Sequence, residues 1–143
     1  MPMPHSDDVL PAAREQAFPL DNPALESLGV QITSWFEDRV ELALPVAPNM
    51  LNRSGVVHGG TICALLDAAT GYSGLYSPDS HTMLHAVTLS LTTNFLANGV
   101  GRMLTASGQV ERRGRSIFFS RGEVWLDGTL LVATGMATMK YIK

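Results

Sequence analysis

The chain has 143 residues, 45% of them hydrophobic and 16% charged, with a formal net charge of -3. That length suits a single domain with its own core, and the acidic balance argues against nucleic acid as the main partner, because phosphate binding draws on a basic excess. The lone Cys63 excludes an internal disulfide framework. No charged-then-apolar leader opens the chain and no apolar run nears the ~20 residues of a membrane span, so a soluble cytoplasmic protein is expected. The apolar surplus for this size points to a subunit interface, a substrate tunnel or both, and favours an oligomer.

Residues 1–20 carry no sustained period and read as a loose tail ahead of one domain over 21–143. Asn22 and Pro23 form a helix start, cap and first helical position, and Gly29 keeps that helix short. Two apolar stretches follow, at about 30–36 and 39–47, separated by Glu37-Asp38. The second alternates cleanly, with Val40, Leu42, Leu44 and Val46 on one face, and both read as strands. Pro45 and Pro48 mark its fraying end.

The stretch Asn52 to Tyr76, NRSGVVHGGTICALLDAATGYSGLY, organises the rest. Between Thr61 and Ala69 its only charge is Asp67, so the run predicts a helix buried on most sides. An unpaired buried carboxylate is costly, so Asp67 must find a partner from elsewhere or be at work. Gly71 and Gly74 weaken the far end of the helix and Pro78 is expected to stop it. From 83 to 97 the period returns to two, with Leu89, Leu91 and Phe95 set against Thr88, Ser90, Thr92 and Asn94. Residues 102–112 and 116–126 are two more strands around the turn Arg112-Arg113-Gly114-Arg115. Asp127-Gly128 is a strong hairpin signal before a last strand at 129–141. One long buried helix among hairpin-connected strands predicts an α+β fold, an antiparallel sheet of five to six strands curled around the helix.

The spacing from Asn52 through His58-Gly59-Gly60 to Asp67 resembles the hot-dog fold acyl-CoA thioesterases. Within them it resembles the phenylacetate-pathway-like group of the 4-hydroxybenzoyl-CoA thioesterase superfamily. The resemblance covers about residues 25–142. It implies that the Gly59 backbone N–H binds the thioester carbonyl oxygen and that Asp67 acts as general base or nucleophile. Asn52 and Thr88 would orient water or substrate. The chemistry is sensible, because a helix N-terminus offers unpaired N–H groups and a glycine lets the carbonyl approach. It further implies acyl-CoA as substrate, no metal or other cofactor, and a homodimer at minimum, or a homotetramer, with sites built between subunits.

Plainer readings stand beside these. His58 is a catalytic candidate, as a general base or as a residue that positions the loop, with the second favoured, and Gly60 fits either substrate contact or close helix packing. Arg112, Arg113 and Arg115 are a solvated basic turn or a contact for coenzyme A phosphates. His81 and His85 lack a third ligand at metal spacing, and Cys63 reads as core filler. No G-x-S-x-G elbow is present, which excludes a serine thioesterase. The functional expectation is hydrolysis of acyl-CoA to free acid and coenzyme A. The rivals are a hot-dog hydratase or dehydratase and a non-catalytic acyl-CoA binding module. The acyl group depends on how Trp35, Phe36, Tyr72, Tyr76 and Phe95 are arranged.

Overall fold

A computed structural model describes residue 18, residues 20–79 and residues 81–143. Most of the expected tail, residues 1–17 and 19, lies outside the described residues. Helix α1 (Pro23–Leu28) begins as expected: the Asn22 side chain accepts from the Leu25 N–H, and Gly29 closes the helix at φ +93°. Strands β1 (Gln31–Phe36) and β2 (Arg39–Pro45) form a hairpin whose turn places Asp38 at φ +63°. A 3-10 turn at Pro48–Met50 leads into α2 (Gly59–Tyr72), followed by β3 (His85–Phe95), β4 (Met103–Arg113), β5 (Ile117–Leu126) and β6 (Leu130–Ile142).

The six strands make one sheet in the order β1-β2-β4-β5-β6-β3, with every pairing antiparallel. The sheet is thus α+β at the upper end of the expected strand count. Helix α2 lies against it, burying Ile62, Leu65, Leu66, Ala68, Ala69 and Thr70. Three glycines make that possible. Gly108 pairs with Gly122 and Gly122 with Gly135, so one row across β4, β5 and β6 has no side chains. A Cβ at Gly108 would stand 1.9 Å from the Ala69 carbonyl oxygen, and one at Gly122 or Gly135 would press on Leu66 at 3.2 or 3.3 Å.

The helix stops at Tyr72, ahead of the expected Pro78, because Gly74 is claimed by the sheet. A Cβ there would fall 2.4 Å from the Phe118 ring. The Gly74 carbonyl accepts from Tyr141 Oη at 2.8 Å and from Arg113 at 3.3 Å. The Asp127-Gly128 turn forms as expected, with φ of +52° and +70°, and the Asp127 carboxylate accepts the backbone N–H groups of Arg102 and Met103.

Two predictions follow from this packing. Gly108→Ala forces a methyl group into backbone and should cost about 3 kcal/mol or prevent folding. At Gly71 a Cβ meets only Met139, at 3.6 Å, so Gly71→Ala should stabilise the helix by up to ~1 kcal/mol in denaturant titrations. Apart from the packing, the N–H donors of Arg102 and Met103 lower the pKa of Asp127. A carboxylate depressed in the folded state stabilises above its unfolded pKa of about 3.9, and that contribution disappears as pH falls through the folded value. Melting temperature should therefore fall more steeply below pH ~4 in the wild type than in Asp127→Asn; equal slopes would remove this role.

Candidate active site

The site begins at the entrance to α2. His58 is the N-cap, and its Nδ1 accepts the Gly60 N–H at 2.8 Å. This fixes the ring over Gly60, where a Cβ would stand 2.9 Å from that nitrogen, so Gly60 is kept bare by His58 rather than by helix packing. The adjacent Gly59 N–H has no hydrogen-bond partner among the described residues and is an open donor at the positive end of the helix dipole. The Phe95 ring lies 3.3 Å from where a Gly59 Cβ would be. Gly59 opens into a cleft of about 370 Å³ with Asn52, Val57, Ile62, Phe95 and Leu96.

Asn52 is half committed already. Its side-chain carbonyl accepts the N–H groups of Ser54 and Val56, at 2.9 and 3.2 Å, and so builds the loop that enters the helix. Its amide NH₂ makes no hydrogen bond among the described residues and is the half that can face a substrate.

Asp67 stands two turns further along, half-buried rather than enclosed. Its partner is Thr88, whose Oγ1 donates to Asp67 Oδ1 at 2.5 Å, a length typical of a hydroxyl on a carboxylate. A β-bulge creates this contact. The β3–β6 register shifts between Thr88 and Ser90, which makes Leu89 the extra residue. Before the bulge Thr88 faces the helix; after it Leu91 packs into the core, Thr93 meets Cys63 and Phe95 covers Gly59. Simple alternation would have placed Thr88 on the opposite face from Leu91 and Phe95. Asp67 and Thr88 share a second cleft, of about 360 Å³, with Tyr72, Met139 and α1. His85 also lines it, a neighbour that strand spacing did not single out.

The basic turn divides. Arg113 is tied to Asp38, Tyr141 and the Gly74 carbonyl, so it is a strut between β4 and the end of α2. Burial opposes its charge, yet the bond to Asp38 together with the charges of Tyr141, Asp38 and Glu37 holds its pKa above the ordinary value. Arg112 and Arg115 remain exposed. Trp35, Tyr72 and Tyr76 cluster edge-on at the C-terminal end of α2, with Phe18 against Trp35, while Phe95 belongs to the other cleft. Among the described residues no three His, Cys, Asp or Glu side chains gather at metal-ligating distance, and no helix is long and apolar enough to cross a membrane.

The model of the thioesterase superfamily matches residues 54–133, which spans the helix entrance, Asp67, Thr88 and most of the sheet. The chain belongs to the thioesterase superfamily. It is 33% identical over 91 residues to the acyl-coenzyme A thioesterase PaaI of Escherichia coli, covering 63% of this chain and 61% of that protein. With the medium/long-chain acyl-CoA thioesterase YigI of the same organism it shares 24% over 129 residues, 81% and 83% of the two chains. The solved structure of E. coli PaaI superposes with a TM-score of 0.75 at 27% identity, covering 86% of each chain. The fold is the hot-dog fold, and the protein is a thioester hydrolase.

The cap at the helix entrance can be tested alone. His58→Ala removes the acceptor of the Gly60 N–H and should cost about 1 kcal/mol in thermal melts, with His58→Asn recovering most of it.

Proposed function

We propose that the protein hydrolyses acyl-CoA thioesters to free acid and coenzyme A, with each site built by two copies of the chain. The observation that carries this reading is the separation of the two halves of the site. Gly59 and Asp67 are eight residues apart on the helix, ~12 Å of rise, and the two open into different clefts. One carbonyl has to meet the N–H donor and the attacking group in the same cleft, which Gly59 and Asp67 of one chain do not share. A second copy resolves the mismatch by bringing its own Gly59 to this chain's Asp67.

Strand β3 supports the pairing. Among the described residues it bonds only to β6, leaving its other edge open over eleven residues, with Val87 and Leu89 exposed. A long unpaired edge of this kind is a template for another strand. Two β3 edges joined antiparallel would continue the sheet through a homodimer, and pairs of dimers would give the tetramer.

In the proposed reaction the thioester carbonyl oxygen accepts from the partner's Gly59 N–H, with Asn52 NH₂ beside it. Asp67, held by Thr88, takes a proton from water as the water oxygen bonds to the carbonyl carbon. The C–O double bond opens onto the oxygen, and the N–H and helix dipole hold the resulting charge. The carbonyl then re-forms as the C–S bond breaks, the thiolate leaves and takes up the proton held by Asp67, and the acid is released. Direct attack by Asp67 would give an anhydride that water opens to the same products. Arg112 and Arg115 are the basic groups left for the coenzyme A phosphates.

His85 beside Asp67 favours one second reading, addition of water to an unsaturated acyl thioester, which would use the pair as acid and base. Thiol release from saturated acyl-CoAs decides between them, since hydration of a double bond liberates no thiol. Asp67→Asn should lower thiol release ~10²-fold or more with melting temperature nearly unchanged. Co-produced with a Gly59→Val chain, the Asp67→Asn chain should regain turnover that neither variant has alone. Lack of such rescue in verified mixed dimers would sink the shared site.

A further inference from the structure

We infer that the groove beside Asp67 takes the acyl group as a straight apolar chain of roughly ten carbons, an inference that rests on the thioester hydrolysis proposed above. Leu25 and Leu28 of α1 form one wall, and Ala64, Ala68 and Gly71 of α2, with Leu75 just beyond it, form the other. The α2 positions recur at three- and four-residue intervals, so they share one face with Asp67 standing among them. From Ala64 to Gly71 the wall runs along the helix for ~10 Å, and Leu75 extends it past the helix end, which makes the groove long rather than round. Its volume of about 360 Å³ equals that of roughly a dozen water-sized groups, enough for a medium-length chain.

Gly71 gives the independent reason. A glycine within a helix costs ~1 kcal/mol against alanine. At Gly108, Gly122 and Gly135 the packing of α2 on the sheet explains the glycine. Among the described residues nothing packed against Gly71 does, since Met139 at 3.6 Å leaves ordinary room for a methyl group. What a larger side chain at position 71 would fill is the groove itself. The polar part of the lining includes the carboxylates of Asp21 and Asp67, which repel the phosphates of coenzyme A, so the acyl end is the part that enters.

The test is a series of kcat/KM values on acetyl-, butyryl-, decanoyl- and palmitoyl-CoA for the wild type, Gly71→Leu, Ala64→Leu and Leu28→Ala. Wild type should prefer decanoyl-CoA. The ratio of decanoyl to acetyl should fall about tenfold or more in the two leucine variants, and Leu28→Ala should move the preference toward palmitoyl. A wild type that prefers acetyl, or a ratio unmoved in variants with wild-type melting curves, overturns the inference. Should no acyl-CoA be hydrolysed, calorimetry on Asp67→Asn separates the two ideas. Decanoyl-CoA binding more tightly than coenzyme A, with the advantage lost on adding Gly71→Leu, would keep the groove and discard the hydrolysis. Equal binding would discard the groove.

Discussion

The fold depends on backbone meeting backbone where α2 crosses β4. At Gly108 the helix comes so close that the Ala69 carbonyl occupies the place of a side chain. The neighbouring glycines continue the flat track across β5 and β6, and Leu66 and Thr70 settle into it. Contact this close leaves the helix little freedom to slide or roll, because interiors packed at such density have no slack. Buried hydroxyls reinforce it: Ser120 donates to the Thr70 carbonyl at 2.9 Å, and Ser73 donates to the same carbonyl at 2.6 Å.

That anchoring is what allows a precise site on a helix whose other flank is open. With its depth and rotation set by the glycine track, α2 presents Gly59 at one end and Asp67 near its middle toward β3. The strand is adjusted to match. Its bulge at Leu89 lets one strand send Thr88 to the carboxylate and, half a turn out of phase, Phe95 to the glycine. At the far end Arg113 and Tyr141 hold the Gly74 carbonyl, where a cation also suits the negative end of the helix dipole. The site is therefore supported at both ends and open in the middle. The acyl groove and the second subunit are proposed to meet there.

Much of this was legible in the chain. Local signals work where the cause is local: Asn22-Pro23 starts α1, Asp127-Gly128 turns the last hairpin, and the lone charge in an apolar run marks Asp67 as a residue needing a partner. The residues from Asn52 to Asp67 carried the family resemblance, and the superfamily match and the curled six-stranded sheet agree with it. What escaped were features made by two distant segments. Arg113 looked like half of a basic turn until Asp38, 75 residues earlier, came into reach. The end of α2 looked like the work of Pro78, but Phe118 of β5 and Tyr141 of β6 decide it from the helix-facing side of the sheet.

Sequence alone determined which segments form helix and strand, which residues carry donors and acids, and where glycine frees a backbone. These follow from propensity, periodicity and chemistry within a few residues. Only the tertiary structure decided which face of β3 Thr88 occupies, because one inserted residue inverts an alternating strand and leaves no mark in composition. It also decided why glycines recur at 108, 122 and 135, since their spacing means nothing until antiparallel register sets them side by side under one helix.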